Sequence, residues 1–288
     1  MNLEKLVRPN ILAMKAYSSA RDEFEVNNDV VLLDANENPF ASEWNRYPDP
    51  YQRKLKKAVS EFKGSALENI FLGNGSDEAI DLIFRIFCEP AKDNIAITNP
   101  TYGMYEVSAA IQNIAVKKIP LTKTFELNSN ELLSAVDANT KLIFICNPNN
   151  PTGNLLDEGE IKNILESFNG IVIIDEAYID FTENESSISW LQDYPNLIVL
   201  QTFSKAWGMA GMRLGMAFAN PPIIALINKV KAPYNLNILT QNKALELIEN
   251  NKNVVEEHLS VLTQERNRLI KFLRGLSIAE HVYPTSTN

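Results

Sequence analysis

The chain has 288 residues, 45% of them hydrophobic, enough for one large α/β domain and part of a second around a sizeable core. Its formal net charge of −9 argues against a nucleic-acid groove, yet leaves room for one local cationic site that binds a phosphate. No apolar run approaches the length of a membrane span, and Glu4, Lys5 and Arg8 stand where a signal peptide has its apolar core, so no membrane and a cytoplasmic location are expected.

Residues 1–50 read as an arm and loop with little periodicity. They hold Tyr17 to Arg21, then Val30 to Phe40 with Asn36-Glu-Asn-Pro39 inside it, then Arg46-Tyr-Pro-Asp-Pro50; on local chemistry the Asn, Asp and Pro clusters are turns. Leu55, Val59 and Phe62 mark a helix that stops at Gly64. From Ile70 a short strand breaks at Gly73 and Gly75 and feeds a helix carrying Ile80, Ile83, Phe84 and Phe87. Such a turn presents free backbone N–H groups and the positive end of a helix dipole to a phosphate, with Ser76 adding a hydroxyl. A plain capped helix start accounts for Ser76, Asp77 and Glu78 equally well. A dinucleotide fingerprint is excluded, because Glu78 occupies the third glycine position. Asn94 to Thr98 reads as a strand, and Asn99-Pro-Thr-Tyr-Gly opens a helix. There Tyr102 either stacks on a flat ligand or simply packs. Lys117 to Pro120 is a further strand and Asn128 to Val136 a further helix.

Three apolar runs then end one after another in polar residues. Leu142 to Cys146 leads into Asn147-Pro-Asn-Asn-Pro-Thr-Gly153, Ile171 to Ile174 into Asp175-Glu-Ala-Tyr178, and Leu197 to Leu200 into Thr202, Ser204 and Lys205. Helical connectors such as Leu156 to Phe168 make the strands parallel, so Asn150, Asp175, Tyr178, Ser204 and Lys205 are expected at one edge of one sheet, where open α/β sheets bind ligands. Arg213 follows in a segment relieved by Gly208, Gly211 and Gly215, a spacing that suits a turn around an anion. A last apolar strand ends at Asn220, helices follow from Ile223, and Leu239 to Leu276 is predicted as one long amphipathic helix with His258 on its surface. Cys88 and Cys146 lie in apolar runs, which favours packing over a disulfide. Two cysteines and two histidines give no metal-ligand spacing, and no metal is expected.

The ordered pattern Thr-x-Ser-Lys-x-x-Gly-x-x-Gly-x-Arg-x-Gly from Thr202 resembles the cofactor-lysine motif of pyridoxal 5'-phosphate (PLP) enzymes of the aspartate aminotransferase fold, fold type I. Leu33 to Pro39, Arg46 to Pro50, Pro233-Tyr-Asn-Leu-Asn237 and Tyr17 narrow the resemblance to the histidinol-phosphate aminotransferases. It implies a three-layer sandwich with a mostly parallel central sheet plus a small α/β domain, in three parts: an arm at 1–50, a PLP-binding domain at 51–235, and a long helix entering the small domain at 236–288. It also implies that Lys205 links to the cofactor and then moves a proton, that Asp175 pairs with the ring nitrogen, and that Asn150 and Tyr178 bind the ring oxygen while Tyr102 stacks. Ser76, Asp77 through its backbone, Ser204 and Arg213 would hold the phosphate, with Tyr47 reaching it from the second subunit of a homodimer with shared sites. Tyr17 and Asn36 would meet substrate. The implied reaction exchanges an amino group between L-histidinol phosphate and 2-oxoglutarate, glutamate being the partner product, in L-histidine biosynthesis. Threonine-phosphate decarboxylase, an aromatic amino-acid aminotransferase and a non-catalytic PLP-fold effector-binding module are the competing readings. Val282 to Asn288 reads as the entry to a strand, and since members of the family it resembles continue further, the resemblance implies an incomplete small domain that lacks the family's substrate-contacting arginine and leaves Leu262, Leu269 and Leu273 partly uncovered.

Overall fold

In the computed structural model, which describes residues 2–17, 33 and 35–288, helices and strands alternate along the chain. Residues 18–21, 30–32 and Asp34 of the N-terminal motifs lie outside the described residues. The first elements are α1 (Pro9–Ala13), α2 (Arg53–Lys63), β1 (Ile70–Asn74), α3 (Ser76–Phe87), β2 (Asn94–Asn99) and α4 (Met104–Ile111). Next come β3 (Ala115–Pro120), α5 (Ser129–Ala135), β4 (Thr140–Cys146), α6 (Glu158–Ser167), β5 (Ile171–Asp175) and β6 (Leu197–Thr202). The chain continues through β7 (Leu214–Ala219), α7 (Pro221–Val230), α8 (Ile238–Asn250) and α9 (Lys252–Arg274).

The strands form one sheet in the order β1-β7-β6-β5-β4-β2-β3. All pairs are parallel except the two made by β7, so six strands share a direction and β7 runs against them. The reason is the link from β6, residues 203–213, which falls short of the roughly dozen residues a parallel crossover needs.

Strand periodicity explains the three layers. Val172 and Ile174 of β5, with Leu197 and Val199 of β6, pack on one face against α2, α5, α6 and α8. Their neighbours Ile171, Ile173, Ile198 and Leu200 pack on the other against α3, α4 and α7. Both faces are therefore covered, which is why these strands read as continuous apolar runs. Burying each such side chain contributes about 1.5–3 kcal/mol.

The structure departs from the sequence expectations in three places. The predicted helix 239–276 is two helices, α8 and α9, broken at Asn251, whose φ of −111° and ψ of 10° leave the helical region. Asn250 and Asn251 compete for backbone hydrogen bonds where periodicity alone saw no stop. Within the arm, Pro9 opens the short α1, which buries Ile11 and is tied down by an Arg8–Glu89 ion pair of 3.0 Å. Residues 282–288 form no strand; Ser286 N–H donates to the Gly153 carbonyl at 2.7 Å and Arg266 Nη1 to the Thr287 carbonyl at 3.0 Å. Leu262 and Leu269 are exposed and Leu273 is half-buried.

Candidate active site

One cavity opens at the carboxyl edge of β4, β5 and β6, and nine of the residues singled out in the sequence line it: Lys205, Asp175, Tyr178, Asn150, Tyr102, Ser76, Asp77, Ser204 and Arg213. At one end, Gly75 caps α3 with φ 78° and no side-chain cap; Glu78 N–H donates back to the Gly75 carbonyl at 3.3 Å, which leaves the N–H groups of Ser76 and Asp77 at the mouth of the helix for a ligand. Gly75 N–H itself donates to the Arg213 carbonyl at 2.7 Å. Arg213 adopts the left-handed region at φ 53°, unusual for a long side chain, and its Nη2 lies 3.4 Å from Asp77 Oδ2. Gly215 sits directly under the helix start, since a Cβ there would meet Ser76 N at 2.0 Å. Only glycine lets β7 approach α3 this closely.

The turn after β6 is built by Thr202, whose hydroxyl donates to the Leu214 carbonyl at 3.2 Å and accepts from Ser204 N–H at 3.1 Å. That turn brings out Lys205, an exposed residue whose Nζ stands 5.4 Å from the centre of the Tyr178 ring. Beyond β4, Asn149 Nδ2 donates to the Pro100 carbonyl at 3.1 Å and to Thr152 Oγ1 at 2.7 Å, setting the turn that carries half-buried Asn150. Tyr102 donates its hydroxyl to Asp77 Oδ1 at 3.2 Å. Partial burial, and then the Asp77 charge, push its pKa up to about 12, so it remains a donor at neutral pH.

Asp175 is the buried charge of the site, 2% exposed. Its Oδ2 accepts from the Tyr105 hydroxyl at 2.7 Å and its Oδ1 from Ala177 N–H at 3.1 Å. Burial pushes its pKa up, the two hydrogen bonds oppose that, Asp77 adds to the rise and Lys205 counters it. No ion pair to Asp175 forms among the described residues. A desolvated carboxylate with two donors and no adjacent cation is suited to a cationic ligand atom. The neighbouring Glu176 points elsewhere, accepting from Ser187 N–H at 2.7 Å and Gln201 Nε2 at 2.8 Å. The cavity thus combines an anion cradle, a buried carboxylate and an accessible amine.

Tyr47, Tyr17 and Asn36 do not line this cavity. Tyr47 is 50% exposed and stacks on Tyr234 with ring centres 4.5 Å apart. Tyr17 borders a small recess beside Tyr51 and Lys231, and Asn36 is exposed at φ 52°. Sequence reasoning missed Tyr105, the side chain of Asp77 and Thr202 as a shaper of the turn. For Tyr105 the signal was its place one helical turn after Tyr102 on α4, on the face that packs inward. Asn235, in the Pro233 to Asn237 motif, donates to the Leu72 carbonyl at 3.0 Å and to Glu78 Oε2 at 3.1 Å, tying that segment to the strand before the phosphate-type turn.

The family described as aminotransferase class I and II matches residues 25–284. The histidinol-phosphate aminotransferase of Parabacteroides distasonis is 53% identical over 287 residues, spanning 100% of this chain and 83% of that protein. Its counterpart in Cytophaga hutchinsonii is 50% identical over 291 residues, again across 100% of this chain and 83% of the relative. Among solved structures, the histidinol-phosphate aminotransferase from Clostridium acetobutylicum superposes with a TM-score of 0.76 at 28% identity, covering 84% of this chain and 72% of that one. The fold is also that of the Sinorhizobium meliloti enzyme solved with pyridoxal-5'-phosphate, with a TM-score of 0.76 at 24% identity over 84% of this chain and 66% of that one. With its six co-directional strands, its polar strand ends and these relatives, the chain belongs to the class I and II aminotransferases and, within them, to the histidinol-phosphate aminotransferase family.

Proposed function

We propose that this chain binds PLP in the cavity at the ends of β4, β5 and β6 and transfers an amino group between L-histidinol phosphate and 2-oxoglutarate, in L-histidine biosynthesis. The observation that carries this reading is the meeting of Lys205, buried Asp175 and the Ser76–Arg213 anion cradle in one cavity of a chain of this family. The donor set fits the cofactor: N–H groups of α3, Ser204 and Arg213 suit a phosphate, and the Asp175 carboxylate suits a protonated ring nitrogen. Asn150 and Tyr178 supply donors for the ring oxygen, and the Tyr102 ring supplies a flat surface. When bound, PLP takes up the amino group and spreads the charge left at the substrate carbon.

The chain's own residues then have distinct tasks. Asp175 keeps the proton on the ring nitrogen by accepting it as a hydrogen bond to a carboxylate. Lys205 Nζ, once the amino donor has freed it, would take the proton from the donor's Cα and deliver it to the cofactor, and the reverse in the second half of the exchange. Arg213 and the start of α3 hold the phosphate still, so that the reacting carbon stays within reach of Nζ. By the same reading, residues 51–235 form the cofactor domain, 236–288 belong to the small domain, and Tyr47 serves the partner's phosphate site in a homodimer, with Tyr17 and Asn36 near substrate. The test is a panel of amino donors on the purified, PLP-loaded protein: histidinol phosphate, phenylalanine, tyrosine, aspartate and threonine phosphate. Histidinol phosphate is expected to give the highest kcat/KM; a higher value for any other donor, or carbon dioxide release from threonine phosphate, overturns the substrate assignment.

A further inference from the structure

Behind the cavity, α4 sends one aromatic side chain fully into the core. Tyr105 is 0% exposed, and its ring lies against Phe144 of β4 with centres 4.7 Å apart and meets Tyr102 edge-on at 5.5 Å. Those contacts require a ring and nothing more. A phenylalanine satisfies them without a buried hydroxyl, whose burial costs about 1–3 kcal/mol unless it is hydrogen-bonded. The hydroxyl here is 2.7 Å from Asp175 Oδ2, while Ala177 N–H takes Oδ1 at 3.1 Å, so two fixed donors from different elements hold both oxygens of one buried carboxylate.

We infer that Tyr105 is a positioning residue for Asp175, its hydroxyl holding the carboxylate ionised and in a single orientation at the wall of the cavity. The titratable groups facing Asp175 are Tyr105 from α4, Tyr102 just before α4, Cys146 from β4, Asp77 from α3 and Lys205 from the turn after β6. Of these, Tyr105 alone donates a side-chain hydrogen bond to the carboxylate among the described residues. Burial and Asp77 favour the neutral acid; the Tyr105 hydroxyl is the strongest influence in the other direction. Without it, the carboxyl competes for the proton that the cofactor's ring nitrogen needs. That consequence rests on the proposed function, whereas the hold on Asp175 does not.

The first measurement therefore uses the apoprotein. With aspartate carboxyls labelled with carbon-13, the Asp175 titration midpoint is expected to rise by about one to two pH units in Tyr105→Phe, the equivalent of one hydrogen bond to a charged group. Phe144→Leu, which loosens the ring stack and keeps the hydroxyl, should lower Tm and leave the midpoint in place. The second measurement loads PLP labelled with nitrogen-15 in the ring: in Tyr105→Phe the ring-nitrogen shift should move toward that of an unprotonated pyridine. In the same variant kcat should fall about tenfold or more, with KM for the amino donor changed less than about twofold. Should Tyr105→Phe fail to fold, replacing Tyr105 by 3-fluorotyrosine keeps every ring contact, strengthens the donor and should lower the midpoint. An unmoved midpoint in a folded Tyr105→Phe, or an equal shift in Phe144→Leu, overturns the inference. A wild-type protein that takes up no PLP overturns the proposed function, and the apoprotein titration still decides the role of Tyr105.

Discussion

Lys205 and Asp175 share a cavity but stand in opposite solvent environments, and the difference sets what each substitution does. Lys205 is exposed and reaches over Tyr178, so Lys205→Ala removes an amine without disturbing packing. It is expected to abolish the absorbance band that arises from PLP joined to Lys205, and transamination with it, while equilibrium dialysis still detects bound PLP held by Arg213 and the start of α3. Asp175 is buried, and its folded-state pKa is raised above the ordinary 3.8. Between that value and the raised one, the folded protein binds more protons than the unfolded chain, so stability falls as pH rises through the window and is level above it. In the apoprotein, Asp175→Asn should thus raise Tm at pH 7 by roughly 2–4 °C for each kcal/mol relieved, with the gain vanishing toward pH 4. The same variant should bind PLP yet lose most of its activity. Equal Tm values at pH 7, or near-normal turnover, would remove Asp175 from the role given to it.

At the scale of elements, the site depends on how β7 and α3 meet. The motif after Lys205 contains three glycines that look alike in sequence, and the structure separates them. Gly208 sits at φ 66°, Gly215 lies against Ser76 N, and a Cβ added at Gly211 would meet nothing within 4 Å. Gly215→Ala must push the start of α3 off β7, costing about 1–3 kcal/mol by overpacking and weakening PLP binding through the displaced N–H groups. Gly211→Ala should leave both Tm and PLP affinity close to wild type. Thermal unfolding and fluorescence titration with PLP on the two variants check this; equal behaviour would show that the close approach does not govern the phosphate end. The helix break at Asn251 is the opposite lesson, because there the local residues carried a stop signal that an uninterrupted apolar stripe hid.

At the scale of the whole molecule, the position of Tyr47 decides between a site made by one chain and a site made by two. In this chain Tyr47 stacks on Tyr234 and lies outside the cavity's lining. If each arm completes the neighbouring site across a two-fold axis, mixing Lys205→Ala with Tyr47→Phe subunits puts both lesions in one site of each heterodimer and leaves the other intact. One site per heterodimer should then recover wild-type PLP affinity and turnover. Verified subunit exchange with no such recovery would argue for sites built within one chain.

Much of this protein is legible in its residues alone. Apolar runs of strand length ending in Asn150, Asp175, Ser204 and Lys205 determined a parallel sheet with a polar edge, because strand polarity follows from helical crossovers and side chains alternate along a strand. What alternation could not settle was which of two adjacent acids faces the ligand. Asp175 lines the cavity and Glu176 turns to Gln201 and Ser186, a choice made by the pleat and by partners 10 to 25 residues away. The intimate contact of Gly215 with Ser76 and the Tyr105 hydroxyl on Asp175 likewise required the assembled fold, since each joins residues distant in sequence. Local sequence carries the periods and the turn chemistry; only packing brings one element's side chain onto another's charge.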